Sequence, residues 1–421
     1  MTTTTSQRSV QARVNRLTWL LFFGQSIGSA GFIAGSTVGA LVSAHLTGDT
    51  RLTGVPGAIY LLGGALAAYP AARFMEASGR RRGLTLGFIV GLAGALIAGV
   101  SVLVGSFLPF LAGFFVMGAA RGANDLARYA AAEMYSKAER GRAISRVVFG
   151  GTVGAILGPA LVAPMGRLAI WLGADRLAGP WFASALLFGL GAVLMSAFLR
   201  PDPRELAHQD SDHVSSDATS RGPVRSWGKI LSQPQAQAAL SALILGQVVM
   251  VMLMAITSVH LDHHGHPLED VSLVITAHTL GMFGPSVISG RLADRWGRGP
   301  VIVAGAALLI LACLLAPLWN NTWTIAVALL LLGLGWNFCY VAGGALLTDI
   351  LTPAERSHGQ GTADLLINIA SGAGSLGSGL VFSALGYTLM AWVSLFVTLV
   401  PLLLTLRWMW SRRVLAVSSA D

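Results

Sequence analysis

Long apolar segments recur along nearly the whole chain, and they restrict its fold more than any other feature. A helix needs roughly 20 apolar residues to cross about 30 Å of hydrocarbon. The predicted spans are residues 17–44, 54–74, 84–105, 108–134, 144–168, 178–199, 236–260, 270–291, 300–319, 322–347, 359–386 and 388–410. Because backbone polar groups in lipid must be satisfied within the chain, these segments predict an all-α integral membrane protein with 12 transmembrane helices.

The composition excludes several other classes of protein. Charged residues make up only 11% of the chain, against roughly a quarter in soluble domains. The net charge of +9 comes from basic residues that separate apolar runs, so nucleic acid is not an expected partner. Cys313 and Cys339 lie inside apolar segments and lack ligand spacing, so we expect no metal and no cofactor. Histidines gather at residues 260–266, and a solvated loop is preferred there to a metal site.

The distribution of basic residues predicts the orientation of the chain. In the loops between spans, the odd-numbered loops carry only Arg51, Arg167 and Arg176, and all other loop arginines and lysines fall in the even-numbered loops. Since positive loops remain inside, both termini and the linker are predicted to be cytoplasmic. The expected organisation is a tail over 1–16, six-helix bundles over 17–200 and 236–410, a linker over 201–235 and a tail over 411–421.

An internal repeat relates the two predicted bundles. The loop after span two matches the loop after span eight at an offset of 218 residues, acid to acid and Gly-Arg to Gly-Arg. The end of span four matches the end of span ten at an offset of 216, with Ala-Glu-Arg kept in both. The matching segments are Ala72–Arg80 with Gly290–Arg298, and Glu133–Arg140 with Asp349–Arg356. Two six-helix halves related in this way are typical of parallel-repeat transporters.

These motifs resemble those of the major facilitator superfamily (MFS) over essentially the whole chain. Residues Gly290–Arg298 are close to that family's loop signature, and Arg73–Arg81 form a degenerate copy with Glu76 in the position of aspartate. The resemblance implies two six-helix bundles around a central site, a small-molecule substrate and a monomer in a bacterial inner membrane. It also implies transport by alternating access and no enzymatic activity.

The same loops contain a predicted cytoplasmic gating network. Acids and arginines at the cytoplasmic helix ends can form ion clusters when the halves close there, and these clusters break when the halves part. One exposed pair contributes only about 0–1 kcal/mol, so several are needed. The alternative is that the loop arginines only set topology. The residues of the predicted network are Arg73, Glu76, Gly79, Arg80, Glu133, Arg140, Gly290, Asp294, Arg295, Gly297, Arg298, Asp349, Arg356 and Asp364, the last expected to contact Arg298.

Charged residues inside span four are candidates for proton coupling and substrate binding. Arg121, Asp125 and Arg128 follow at i, i+4 and i+7, which predicts one helix face. A charge in a span costs about 2.5–3.5 kcal/mol and usually marks a pathway. Arg121-Gly-Ala-Asn124 resembles the Arg-x-x-Gln element of antiporters in this superfamily, with Asp125 as the candidate titrating group. The alternative is a structural ion pair with no role in transport.

Two further polar residues lie in other spans. His278 in span eight has two interpretations, a bond to a neighbouring helix or a role in proton or substrate binding. Gln25 in span one is a possible substrate contact.

A glycine and proline motif in span five favours export. Gly154 and Gly158 are four residues apart, which permits close helix approach, and Pro159 removes a backbone hydrogen bond and bends the span. The motif resembles the Gly-x-x-x-Gly-Pro element of exporters, although the trailing Gly-Gly is replaced by Leu161 and Val162.

Three functions are compatible with the sequence. The first is proton-coupled efflux of an amphipathic drug or metabolite. The second is proton-coupled uptake of an anionic solute, since the spans hold two arginines. The third is a membrane sensor or lipid-handling protein that transports nothing. No Gly-Lys-Ser/Thr motif for ATP is present, so a proton gradient is the expected energy source.

Overall fold

The computed structural model describes residues 2–136, 139–207, 225–352 and 355–418. Within these ranges the chain is helical, with no strand. Ten of its helical stretches are long and apolar enough to cross a membrane. The contacts divide the chain into two compact units: unit 1 comprises Met1–Gly48 and Val55–Ser215, and unit 2 comprises Asp49–Gly54 and Ser216–Asp421.

Unit 1 contains ten described α-helices and one π-helical turn. Their bounds are α1 (Thr2–Thr37), α2 (Gly39–Thr47), α3 (Val55–Ser78), α4 (Arg80–Leu103), α5 (Phe107–Asn124), α6 (Ala127–Glu133), α7 (Arg140–Ala160), α8 (Val162–Trp171), α9 (Gly179–Val193), the π-turn Leu194–Phe198 and α10 (Pro203–Ala207).

Unit 2 contains one described 3-10 turn and seven α-helices. Their bounds are the turn Thr50–Leu52, α11 (Trp227–Leu231), α12 (Pro234–His263), α13 (Leu268–Phe283), α14 (Ser286–Trp296), α15 (Arg298–Leu315), α16 (Thr322–Ile350) and α17 (Arg356–Ser418).

The same helix pairs pack in both units. In unit 1, α1 packs on α7, α4 on α5 and α3 on α5. In unit 2, the corresponding pairs are α12 on α17, α15 on α16 and α13 on α16. The internal repeat read from the loops therefore extends to the helix packing within each unit.

Several predicted spans differ from the helices. The predicted tail over 1–16 is helical from Thr2 and continues into span one, because no glycine or proline interrupts it. Span four is not one helix: α5 ends at Asn124 and α6 begins at Ala127. Glycine, asparagine and aspartate have low helix propensity, and Gly122, Asn124 and Asp125 therefore favour a break at this point.

Proline and glycine explain the other interruptions. Span five breaks at Leu161, two residues after Pro159, and span eight breaks at Pro285 between α13 and α14. Helix α17 bends at Gly386, where a φ of 74° separates the predicted spans eleven and twelve. The count of twelve spans stays a prediction. Most of the predicted linker, residues 208–224, lies outside the described residues.

Candidate transport site

Arg121 and Asp125 come together in unit 1 where α5 ends. Arg121 Nε lies 3.5 Å from Asp125 Oδ2, and the side chains are 50% and 47% exposed. The guanidinium carbon lies 5.8 Å from the ring centroid of Phe32 and 5.7 Å from that of Tyr60. Those two rings stack on each other with centroids 4.0 Å apart. A half-exposed ion pair beside an aromatic pair thus lies within a predicted span.

The contact between Arg121 and Asp125 is loose. A charge-assisted hydrogen bond between such groups measures about 2.7–2.9 Å, whereas this pair has a single contact at 3.5 Å. Tyr60 and Asp125 are the polar neighbours of the guanidinium. The guanidinium is therefore held by charge and by ring contacts, and its side chain remains half-exposed.

Arg128 and Gln25 lie apart from this pair. The helix break moves Arg128 onto α6, where its guanidinium carbon lies 4.9 Å from the ring centroid of Tyr129. Gln25 on α1 faces α7, since a Cβ added to Gly151 would lie 3.5 Å from Gln25 Nε2. The predicted set is thus divided, with only Arg121 and Asp125 in contact.

Asn124, next to the break, belongs to the antiporter-like motif in the sequence but was not predicted as a site residue. It is 8% exposed, and its Oδ1 has no hydrogen-bond partner among the described residues. An asparagine in an apolar span beside an arginine was the signal that could have identified it. Buried polar atoms without a partner are costly and commonly mark a binding site or an ordered water.

His278 on α13 bonds a neighbouring helix. Its side chain is fully buried, and Nδ1 lies 2.9 Å from the carbonyl oxygen of Leu329 on α16. Because a carbonyl only accepts, Nδ1 carries the proton and donates. Nε2 has no partner among the described residues. The geometry fits the structural interpretation of this histidine and leaves one ring nitrogen free.

Unit 2 holds a polar and aromatic cluster that sequence reasoning also missed. The indole N–H of Trp336 donates to Gln247 Oε1 at 2.7 Å, and the Trp336 ring stacks on Tyr340 with centroids 4.8 Å apart. Asn337, 216 residues after Arg121, donates to the carbonyl oxygen of Met282 at 2.7 Å. The repeat offset could have identified Asn337, because it falls on the position of Arg121.

The span-five glycines lie against the backbone of α1. A Cβ added to Gly154 would lie 1.9 Å from the carbonyl oxygen of Ser26, and one added to Gly158 would lie 2.8 Å from that of Ala30. No side chain fits at Gly154 without moving a helix. Pro159 lies one residue before the end of α7.

The first of the two predicted cytoplasmic clusters belongs to unit 1. Arg80 Nε donates to Glu133 Oε2 at 3.0 Å, and Arg80 Nη2 makes a second contact to Glu133 Oε1. Asp202 accepts from the backbone N–H groups of Arg80 at 3.2 Å and Arg81 at 2.9 Å, which caps α4. Arg204 donates to the backbone carbonyl of Glu76, whose side chain is exposed.

The second predicted cytoplasmic cluster belongs to unit 2. Arg298 Nη1 donates to Asp294 Oδ1 at 2.5 Å, and Arg298 Nε donates to Asp349 Oδ2 at 3.1 Å. The pair Arg298 and Asp349 is the repeat counterpart of Arg80 and Glu133. Asp294 contacts Arg298, whereas its counterpart Glu76 has an exposed side chain. The cluster of unit 1 therefore has one carboxylate fewer than the cluster of unit 2.

Matched glycines begin the helices that carry these arginines. Gly79 has a φ of 95° and Gly297 has a φ of 92°, and residues other than glycine rarely adopt such backbone values. Each glycine directly precedes its helix, α4 or α15. The Gly-Arg pairs are thus required by a sharp backbone corner as well as by charge.

The other members of the predicted network lie elsewhere. Arg73 donates to the hydroxyl of Tyr69 at 3.3 Å. Arg140 donates to the carbonyl of Tyr135 at 3.3 Å.

In unit 2, Gly290 lies in α14 with open space around it, and Arg295 on the same helix is exposed. Arg298 contacts the carboxylates of Asp294 and Asp349, and its expected contact with Asp364 stays a prediction. The side chain of Arg356 lies outside the described residues.

The end of the linker is fixed to unit 2. Arg225 donates to both carboxylate oxygens of Glu355, at 2.8 and 2.7 Å, and to the carbonyl of Ile350 at 2.8 Å. The Glu355 side chain is only 2% exposed. The hydrogen bonds from Arg225 hold the pKa of Glu355 far below its ordinary value, so the pair persists at neutral pH.

The histidine-rich segment over residues 260–266 begins inside α12, where His260 is buried, so the predicted solvated loop is wrong for that residue. Among the described residues the segment forms hydrogen bonds and no metal cluster. His266 Nδ1 lies 2.7 Å from Asp270 Oδ2, and His266 Nε2 lies 2.8 Å from the carbonyl oxygen of Asn320. Both partners accept only, so the protonated ring satisfies both. The hydrogen bond to Asp270 raises the pKa of His266.

The raised pKa of His266 predicts a pH dependence of stability. Stability from this group is present below its unfolded pKa, about 6.5, and is lost as the pH rises through the higher folded pKa. The unfolding temperature of purified protein is expected to decrease between about pH 6 and pH 8 because of this group. The variant His266→Gln should show a smaller decrease. An equal slope in both proteins would contradict the assignment.

Comparisons with known proteins agree with this architecture. The family model of the Major Facilitator Superfamily matches residues 18–284 and 258–420. The MFS-type transporter YddS of Bacillus subtilis, which is uncharacterised, is 34% identical, covering 88% of this chain and 86% of its own. The riboflavin transporter RfnT of Brucella anthropi is 30% identical, covering 92% and 95%. The multidrug resistance protein MdtL of Escherichia coli is 34% identical over 20% of this chain and 22% of its own.

Solved structures show the same fold at low identity. The nucleoside transporter NupG matches with a TM-score of 0.68 and 14% identity, over 93% of this chain and 98% of its own. A bacterial homologue of the iron transporter ferroportin in an inward-facing state matches with a TM-score of 0.69 and 13% identity, over 93% and 98%. With the family model matching almost the entire chain, the protein is a multi-pass membrane transporter that belongs to the Major Facilitator Superfamily.

Proposed function

We propose that this transporter exports an amphipathic drug or metabolite in exchange for protons. The observation that supports the proposal most directly is the loose, half-exposed pair of Arg121 and Asp125 in a span. Protonation of Asp125 removes the charge that faces Arg121, and substrate binding at Arg121 competes with Asp125 for the guanidinium. Substrate and proton thus act on one ion pair, which couples the binding of the two.

The relatives support this proposal at two levels. RfnT, similar over nearly the full chain, is named as a riboflavin transporter, which favours a metabolite with a flat ring. MdtL, similar over a fifth of the chain, is named for multidrug resistance, which favours efflux. The close approach of α1 and α7 at Gly154 fits the resemblance to exporters. We also propose that the protein works as a monomer with both termini in the cytoplasm.

Flux measurements test the proposal. Purified protein is reconstituted into liposomes, and uptake of radiolabelled riboflavin and of fluorescent ethidium is followed under an imposed pH gradient. Accumulation against the concentration gradient that collapses with a protonophore is the expected result. Equal flux with and without the pH gradient would contradict proton coupling, and no flux of any tested solute would favour a sensor or lipid-handling protein.

Uptake of an anionic solute is the second candidate. The half-exposed guanidinium of Arg121 favours it, because a guanidinium binds carboxylates and phosphates well. An organic anion that competes with riboflavin for wild-type protein but not for Arg121→Gln would support this function. Equal competition in both proteins would exclude it.

The cytoplasmic clusters are proposed to stabilise one state of the transport cycle. Each exposed pair contributes about 0–1 kcal/mol, so Glu133→Gln alone should lower flux by less than about fivefold. The double variant Glu133→Gln with Asp349→Asn removes both repeat counterparts, and a larger decrease of about tenfold is expected if the two effects add. Flux is measured in proteoliposomes.

The matched control for the cluster prediction is Glu205→Gln, which removes an exposed carboxylate of α10. Exchanging charges in Arg80→Glu with Glu133→Arg should recover part of the flux, because the pair is restored. Wild-type flux in the variant Glu133→Gln with Asp349→Asn would show that these two acids have no part in gating.

A further inference from the structure

The amide of Gln247 is oriented by its hydrogen bond to Trp336. An indole N–H only donates, so the atom of Gln247 that faces it at 2.7 Å must be the amide oxygen. The usual ambiguity between the oxygen and nitrogen of a glutamine amide is thereby removed. The amide nitrogen points away from Trp336, and no described residue accepts a hydrogen bond from it. The two N–H donors of the Gln247 amide on α12 thus have a fixed orientation and can donate to a ligand.

A flat aromatic surface lies next to these donors. Trp336 is only 9% exposed, and Tyr340, one turn later on α16, stacks on it with a 22° angle between the rings. Tyr340 is 39% exposed and therefore presents the accessible ring. Phe283 meets Trp336 edge-on, with centroids 6.3 Å apart. Open N–H donors in hydrocarbon are costly, so this surface fits a polar cavity better than lipid.

The repeat relates this surface to the charged site of unit 1. Trp336 and Tyr340 flank Asn337, the counterpart of Arg121, at positions i−1 and i+3 on the same helix. Asn337 donates to Met282 and to Ser286 Oγ, the latter at 2.9 Å. Where unit 1 offers a charge, unit 2 offers neutral donors and rings. The two halves of the repeat thus differ in the chemistry that they can recognise.

We propose that unit 2 binds a planar heteroaromatic ring of the transported solute. The ring stacks on the Tyr340 and Trp336 pair, and a ring carbonyl or ring nitrogen accepts a hydrogen bond from the Gln247 amide. This inference names the substrate class and rests on the transport function proposed above. The site should recognise a flat ring whose edge carries a hydrogen-bond acceptor, and it should reject a flat ring whose edge carries only hydrogen-bond donors.

Binding of two small probes to detergent-purified protein tests the inference without transport. Caffeine is planar and neutral and has only acceptors, whereas indole is planar and has only a donor. Saturation-transfer NMR measures the affinity of each probe. Wild-type protein should bind caffeine more tightly than indole. The variant Gln247→Leu should lose about three- to tenfold in caffeine affinity, the effect of one hydrogen bond, with indole unchanged.

Two more variants separate the ring from the amide. Trp336→Phe keeps an aromatic ring but removes the N–H that orients Gln247, so it should weaken caffeine and spare indole. Tyr340→Ala should weaken both probes. Gln11→Leu, an exposed glutamine on α1, is the matched control and should change neither.

The outcomes distinguish this inference from the transport proposal. Absent caffeine binding in wild type, a preference for indole, or an unchanged caffeine affinity in Gln247→Leu would each overturn the inference. Expected binding together with flux that ignores the pH gradient would instead contradict proton coupling and leave the ring site supported. Thermal unfolding profiles like that of wild type confirm that each variant is folded.

Discussion

Replacing Asp125 by asparagine is expected to end proton-driven accumulation while leaving exchange of internal for external substrate intact. Exchange needs no net proton movement, so it survives the loss of the titrating carboxylate. A pH difference of one unit is equivalent to about 1.4 kcal/mol, which supports roughly tenfold accumulation at one proton per substrate. The variant should therefore reach an accumulation ratio of about one, against roughly ten for wild type.

Replacing Arg121, the partner of Asp125, should have a different effect on transport. Arg121→Gln removes the donors proposed to bind substrate, so both accumulation and exchange should fall. Lys229→Gln is the matched control, because it removes one positive charge from an exposed position on α11. Both variants are measured in proteoliposomes with the same substrate and gradient. Undiminished accumulation in Asp125→Asn would mean that the ion pair with Arg121 is structural.

Replacing Gly154 is expected to cause the largest loss of stability. A Cβ there would lie 1.9 Å from Ser26 O and 2.9 Å from Ala30 N, both backbone atoms of α1. Overpacking a core usually costs about 1–3 kcal/mol, and contact with backbone leaves no side chain to yield. Gly154→Ala should therefore lower the unfolding temperature markedly, and Gly154→Leu should prevent recovery of monodisperse protein.

Gly189→Ala supplies the control for this prediction. It lies in α9 with nothing within 4 Å of the added Cβ. Alanine there gains up to about 1 kcal/mol of helix propensity, so this variant should be as stable as wild type or more so. Unfolding is followed by size-exclusion chromatography after heating. Equal stability of Gly154→Ala and Gly189→Ala would show that α1 and α7 do not need this close approach.

Most of the membrane fold could be predicted because bilayer thickness restricts helix length. The apolar runs gave the helices, and the loop repeats gave the correspondence between the halves, now seen as Arg80 with Glu133 and Arg298 with Asp349. The break in span four at Asp125 was missed, whereas Pro159 had predicted an interruption of span five. Hydropathy averages over a window, whereas a break depends on the backbone conformation of one or two residues.

The candidate site was predictable only where its members lie close in sequence. Arg121 and Asp125 are one helical turn apart, so their contact follows from helix geometry. Gln247 and Trp336 are 89 residues apart on different helices. No periodicity reports such a pair, because it depends on how α12 and α16 pack.

The corners at Gly79 and Gly297 affect how the topology of this protein can be mapped. Helices α3 and α4 are separated by one residue, as are α14 and α15, so the chain reverses there without a loop. A reporter enzyme or epitope inserted at either glycine would have to unwind a helix end, and a protease would find no extended strand to cleave. Negative results from tags or digestion at these corners would thus reflect tight geometry and would carry no information about the side of the membrane.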